Sequence, residues 1–294
     1  MKTNQTIIEE DEPSFQEQLI AMGLAITGIF LFSSKAVLVK LIYQVEVDSV
    51  TVLLLRMLFS LPIFLIIAVV HNIKNPMQEK VGNKIVFQII ILGIVGYYMA
   101  SFFDFQGLKY ISASLERLIL FVYPTLVVIL SAIFLKKKIT KQQLFAILLT
   151  YFGMVVIFSN FLMDFSKNTN EAIFQGGILI FLSALTYAIY LIGSGQILPK
   201  IGTVRFTTYA MLVSCICVIM HYLVTQKNYQ VVADLPFRVY ALSLAMAIFA
   251  TVIPSYLISE SIRRIGASKV SLLGSLGPVS TIGLSMIFLG ESLT

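Results

Sequence analysis

Histidine and cysteine are nearly absent from this chain, two of each in 294 residues, and tryptophan is missing altogether. His71 and His221 sit near the ends of apolar stretches, away from any plausible nucleophile and acid. No HExxH, no glycine-rich loop followed by lysine and no paired-cysteine motif occurs, so catalytic, metal and cofactor chemistry find no support. Cys215 and Cys217 are two apart on one apolar stretch, where a helix points them away from each other. That spacing indicates buried free thiols and neither a disulfide nor a metal clip. Charge is also scarce. With 58% hydrophobic and 12% charged residues, the chain has too little polar surface to cover a soluble globule of this length. Its net charge of +6 is carried in short gaps between apolar stretches and not along one basic face, which speaks against nucleic acid and refers the charge to membrane orientation.

What is abundant is apolar sequence in lengths that fit a bilayer. A span of about 20 residues crosses the hydrocarbon core. Stretches of that kind run at 19–41, 50–70, 85–105, 112–135, 142–162, 174–193, 205–224, 239–260 and 267–289, nine in all. The expected fold class is an all-α integral membrane protein, with the lipid bilayer as its solvent.

One segment is written twice. Sliding the chain by 154 positions (265 minus 111) pairs Ile111 with Ile265, Ala113 with Ala267, Ser114 with Ser268, Leu118 with Leu272 and Pro124 with Pro278. Leu130, Ser131, Ile133, Phe134, Leu135 and Thr140 also meet identical partners. Eleven identities between 107 and 140 without a gap argue for duplication, not merely shared hydrophobicity. The units are expected at 19–162, with five helices, and 174–294, with four, after an acidic tail at 1–18. The second copy stops at Thr294, the position matching Thr140. A tenth helix is therefore expected to be missing, by truncation.

Orientation follows from the gaps. With the N-terminus inside, the cytoplasmic side receives most of the 21 basic residues, including Lys74, Lys80, Lys84, Lys136, Lys137, Lys138, Lys141, Lys200, Arg205, Arg263, Arg264 and Lys269. At the start of the chain Glu9, Glu10, Asp11, Glu12 and Glu17 face a single lysine, Lys2, the reverse of the positive leader of a secretory signal. A unit with an odd number of spans flips when duplicated. Lys136 to Lys138 accordingly correspond to Gly290, Glu291 and Ser292, and the acidic turn at 46–48 to the stretch leading into Arg205. The expectation is an inverted repeat, an architecture that builds a midplane site at the repeat interface.

The stretch SASLERLILFVYPTL with Pro124, its counterpart GASKVSLLGSLGPVSTIGLSMIFLGESLT with Pro278, and the spacing between them resemble the drug/metabolite transporter superfamily, EamA type. The resemblance covers nearly the whole chain from residue 19. It implies two inverted five-helix repeats and export of small metabolites, amino acids or related compounds, across a bacterial inner membrane by alternating access and without ATP. Family members often place tryptophan in the first helix of each repeat; here Phe32 and Tyr187 occupy the comparable region. A membrane interaction or receptor protein without transport activity is the alternative expectation, and the assembly is expected to be a monomer or homodimer.

Ionisable groups inside spans are the first site candidates, because an unpaired charge in hydrocarbon is costly. Lys35, Arg56 and Arg117 each lie about 7 to 9 Å below the outer boundary at 1.5 Å rise per residue. Asp104 and Glu116 are the acids that can pair with them or carry a coupling proton, leaving a cationic excess suited to an anionic group. Structural alternatives are snorkelling of the long side chains and an Arg117–Asp104 pair. Tyr97 and Ser101 on the third span, Tyr123 ahead of Pro124, and Tyr187 and Tyr190 on the sixth form polar rows that can contact a small-molecule substrate. Pro124, Gly274 and Pro278 lie on matched small-residue stripes that break or thin the helices and open space, or simply pack closely. Glu260 is expected to pair with Arg263 or Arg264 one turn on.

Overall fold

The computed structural model describes residues 14–76, 81–136, 138–149, 151–152, 171–226 and 230–290. Among them no strand occurs, and eight helices are long and apolar enough to cross a membrane. They are α1 (Phe15–Tyr43), α2 (Ser49–Lys74), α3 (Asn83–Gly107) and α4 (Ala113–Phe134). A helical segment at 141–149, α5, follows. Then come α6 (Glu171–Ile201), α7 (Thr203–Thr225), α8 (Phe237–Ile265) and α9 (Ala267–Leu289). Most of the expected fifth span, the acidic tail up to residue 13 and the last residues, on which the expectation of a missing tenth helix turns, lie outside the described residues.

Local chemistry sets the helix starts. Ser14 and Glu17 form a reciprocal capping box on α1, Ser14 Oγ accepting from Glu17 N and the Glu17 carboxylate accepting from Ser14 N at 2.9 Å. Asp48 accepts from Val50 N at 2.9 Å and Thr51 N at 3.1 Å to start α2, and Ser112 accepts from Leu115 N at 3.1 Å to start α4. At the offset of 154 residues (202 minus 48, 266 minus 112) the caps of α7 and α9 are Gly202 and Gly266, with φ of +81° and +83°. The turn keeps its place, but its means changes from a side-chain oxygen to a backbone conformation that only glycine adopts cheaply.

The repeat is also visible inside the helices. A π-helical stretch interrupts α3 at Gly93–Met99 and another interrupts α8 at Ile248–Val252. Breaks at 121–122 in α4 and 274–275 in α9 precede Pro124 and Pro278. These are the places where an α-helical ladder loses register or a donor, as expected for π turns and prolines. Packing follows the same symmetry. The second half of α3 lies on α6 as the second half of α8 lies on α1; α4 lies on α6 as α9 lies on α1; α8 meets α2 as α3 meets α7; and α2 meets its own counterpart α7. Each contact thus has a mate with the repeats exchanged, the signature of a twofold relation.

Apolar side chains fill the interior and also cover much of the outside, while many small hydroxyl residues are buried. Phe15, Ile66, Phe87, Phe237 and Ile287 are more than 60% exposed, while Ser33, Ser60, Ser183, Ser214, Ser259 and Thr281 are buried. Several of the buried hydroxyls are satisfied by carbonyls, within a helix as Ser60 to Arg56 O (2.8 Å) or between helices as Ser183 to Ala100 O (2.8 Å) and Ser261 to Ala21 O (2.9 Å). Small hydroxyl residues of this kind let helices approach while spending their donors inside the apolar phase.

Candidate functional site: a charged double chamber between the repeats

Lys35, Arg56, Asp104, Glu116 and Arg117 are all 5% exposed or less, so their charges must meet inside the bundle. They do. Lys35 Nζ lies 2.8 Å from Asp104 Oδ2, and Arg117 Nε lies 3.1 Å from Glu116 Oε2. The anticipated Arg117–Asp104 pair is not the one formed, because Asp104 at the end of α3 faces Lys35 on α1 instead. Both contacts are close ion pairs between buried groups. The two carboxyls also act on each other, so the four groups form one network. Arg56, from α2, has no carboxylate in an ion pair among the described residues; its guanidinium carbon lies 4.8 Å from the centre of the Phe105 ring.

Phe32 is the hub of the arrangement. Lys35 Nζ stands 4.6 Å and Arg117 Cζ 5.7 Å from its ring centre, distances at which a cation is attracted to a π face. Tyr187 stacks on it, centroids 6.1 Å apart and planes 9° from parallel. This pair joins α1 and α6, the first helices of the two repeats, and it stands between two small chambers that share Phe32, Tyr187, Leu120 and Ile258 as walls. The first chamber adds Lys35, Arg56, Tyr97, Ser101, Tyr190, Thr251 and Ser255; the second adds Arg117, Tyr123, Gly274, Gly277 and Pro278. They leave about 40 and 30 Å³ for the centres of water molecules. At ~10 to 15 Å³ for one water, each has room for about two to four waters, so a solute larger than that enters only if the helices move.

The tyrosines are fixed by packing. Gly96, in the π turn of α3, has Tyr190 lying where a β-carbon would stand, so only glycine lets this ring seat against α3. Tyr190 then donates to Tyr97 Oη at 2.8 Å with ring centroids 4.7 Å apart. Tyr123 meets Tyr187 edge-on at 5.3 Å and places its hydroxyl against Gly274.

The structure therefore brings Lys35, Arg56, Tyr97, Ser101, Tyr187 and Tyr190 to one chamber, and Arg117, Tyr123, Gly274 and Pro278 to its neighbour. Asp104 and Glu116 stand behind them as ion-pair partners. Pro124 is buried next to the break in α4 but lines neither chamber. Glu260 binds both predicted arginines, Arg263 at 2.5 Å and Arg264 at 2.6 Å, at a partly exposed helix end. His221 receives or donates a 3.0 Å bond with Tyr98 Oη, apart from both chambers. Sequence reasoning missed Thr251 and Ser255, yet the offset points to them: they match Tyr97 and Ser101 (251 minus 97 and 255 minus 101 are both 154).

Comparison with known proteins agrees with the geometry. A protein of Bacillus subtilis strain 168, the uncharacterized transporter YcbK, is 29% identical over 290 residues, covering 97% of this chain and 90% of that one. The uncharacterized transporter YyaM of the same organism is 32% identical over 197 residues, 67% of this chain and 63% of its own length. A solved crystal structure superposes with a TM-score of 0.69 at 16% identity, over 92% of this chain and 90% of the other, which speaks for the fold alone. The sequence profile of one family matches twice, at residues 19–159 and 174–294. Two copies of that profile, set around a twofold interface of apolar helices, make this a multi-pass membrane transporter, and the chain belongs to the EamA-like transporter family.

Proposed function

We propose that the protein is a secondary carrier that exports small polar metabolites, of the size of amino acids and related compounds, across the bacterial inner membrane by alternating access. The observation that carries this reading is the double chamber itself. It lies where the repeats meet, is walled by side chains from both, and concentrates the buried charge of the described residues. Buried ionisable groups are expensive in a membrane and mark solute or ion pathways by default.

In this reading the Phe32–Tyr187 stack is the partition between the chambers, and the matched π turns and proline breaks are the hinges that let one repeat rock against the other. Glu116 and Asp104 either hold Arg117 and Lys35 in place or carry a coupling proton. The N-terminus faces the cytoplasm, as the distribution of lysine and arginine suggests.

Purified protein reconstituted in proteoliposomes tests the proposal. Saturable counterflow of a labelled solute, accelerated by the same solute on the opposite side, is the expected result. Specific binding with no flux under any gradient, including a pH gradient, would leave a receptor and refute the carrier. Non-saturating flux without exchange would instead mark a channel.

A further inference from the structure

The buried charges do not balance. Lys35, Arg56 and Arg117 face only Asp104 and Glu116 in the buried network, and the two acids stand in ion pairs with Lys35 and Arg117. Arg56 is 3% exposed, lines the first chamber, has no carboxylate in an ion pair among the described residues, and leaves its Nε without a hydrogen-bond partner. Asp104 is the acid that acts on it, and Asp104 is already engaged by Lys35. A buried guanidinium in this condition carries a desolvation cost that the Phe105 ring and an acid already paired with Lys35 offset only in part.

The other polar groups of the chamber do not change the sign. Ser183, Thr251 and Ser255 give their protons to the carbonyls of Ala100 (2.8 Å), Met246 (3.0 Å) and Val252 (2.7 Å). They present lone pairs, not donors. Tyr190 spends its proton on Tyr97, so the Tyr97 hydroxyl keeps one to donate. The chamber thus offers an uncompensated cation with a tyrosine hydroxyl near it, and no uncommitted carboxylate for an ammonium group.

We infer that the first chamber is a site for one monoanion, a small carboxylate whose charge pairs with Arg56 and which is selected over neutral and zwitterionic molecules of the same size. Arg117, held by Glu116 across the Phe32 ring, belongs to the neighbouring chamber and to the architecture of the partition. The inference rests on the carrier reading for the identity of the site and narrows its substrate class.

The test separates the two. Three probes share a three-carbon skeleton and differ in charge: lactate (−1), lactamide (neutral) and alanine (zwitterion). The unfolding temperature of the detergent-purified full chain carrying Cys217→Ser is followed with a thiol-reactive dye, because Cys217 is partly exposed whereas the Cys215 thiol is buried and becomes reactive on unfolding. Wild type should be stabilised by lactate and hardly by the other two. Arg56→Gln should weaken lactate binding about ten- to hundredfold, the loss of one charge-assisted contact, and Arg56→Lys should restore part of it, keeping the charge without the fork. Without ligand, Arg56→Met should unfold at a temperature equal to or higher than wild type, because an unbalanced buried charge has been removed. An arginine with a merely structural role would give the opposite. Equal stabilisation by all three probes, no stabilisation by any, an unchanged lactate response in Arg56→Gln, or a lower unfolding temperature in Arg56→Met would each overturn the inference. Lactate binding that depends on Arg56 but drives no counterflow would sustain it while refuting the carrier.

Discussion

The two repeats share a backbone and differ in chemistry. π turns, helix breaks and cap positions recur at the same offset, yet every buried charge among the described residues belongs to the first copy. Lys35, Arg56, Asp104, Glu116 and Arg117 match Ile189, Ala210, Ile258, Val270 and Ser271 in the second. The one ion-paired cluster of the second copy among the described residues, Glu260 with Arg263 and Arg264, lies at a helix end, where the Arg263 side chain remains 40% exposed. Duplication has preserved what backbone geometry needs. It has left side-chain chemistry free to diverge, so one half carries the charge and the other supplies an aromatic and hydroxyl wall.

The sharpest way to break this contrast is to unpair one buried charge. Lys35→Met leaves Asp104 without its cation and should cost about 3 to 5 kcal/mol of stability. The double variant Lys35→Met with Asp104→Leu should recover most of the loss, because the remaining pair of apolar side chains has nothing left to desolvate. Thermal unfolding of the two single variants and the double gives the coupling. Additive losses would show that the charges do not act as a pair.

A smaller effect is expected from matched positions in the two π turns. Gly96 corresponds to Ala250 (250 minus 96 is 154), and Gly96 has a tyrosine ring where its β-carbon would be. Gly96→Ala should therefore cost about 1 to 3 kcal/mol by overpacking and displace Tyr190 from Tyr97. Ala250→Gly should cost only about 1 kcal/mol. The comparison is made by unfolding temperature and by counterflow; equal effects would mean the repeats are not distinguished there.

At the partition, Tyr187→Ala removes a stacked pair worth about 0.5 to 1.5 kcal/mol beyond its burial, and joins the two chambers. A fall in the selectivity of counterflow between solutes of different size, larger than the fall in rate, is the expected sign. Tyr187→Phe keeps the ring and should behave as wild type. If Tyr187→Ala leaves selectivity intact, the stack is packing and not a partition.

The smallest effect belongs to the exposed charges of the second repeat. Glu260→Gln should cost about 0.2 to 1 kcal/mol and less at high salt, since the ion pairs stand partly in solvent. A loss as large as that of Lys35→Met would erase the difference between the two copies.

What this sequence determined by itself is what depends on near neighbours along the chain. Apolar runs of bilayer length specify helices because no other open backbone satisfies its hydrogen bonds in lipid, and the repeated residues from Ile111 to Thr140 and from Ile265 onward are legible as a duplication. That Lys35, Arg56 and Arg117 fall inside apolar spans is likewise legible from the sequence. Only the tertiary structure decided which charges meet. Asp104 could have paired with Arg117; in the assembled fold it takes Lys35 of α1 instead. The π turns are invisible in the sequence because one extra residue per turn leaves no mark on hydropathy, yet Tyr97 and Thr251 lie within them and Ser101 and Ser255 just after, and all four line one chamber. The isolation of Arg56 is equally hidden. A missing partner is a property of the whole surrounding fold, and no stretch of sequence carries it.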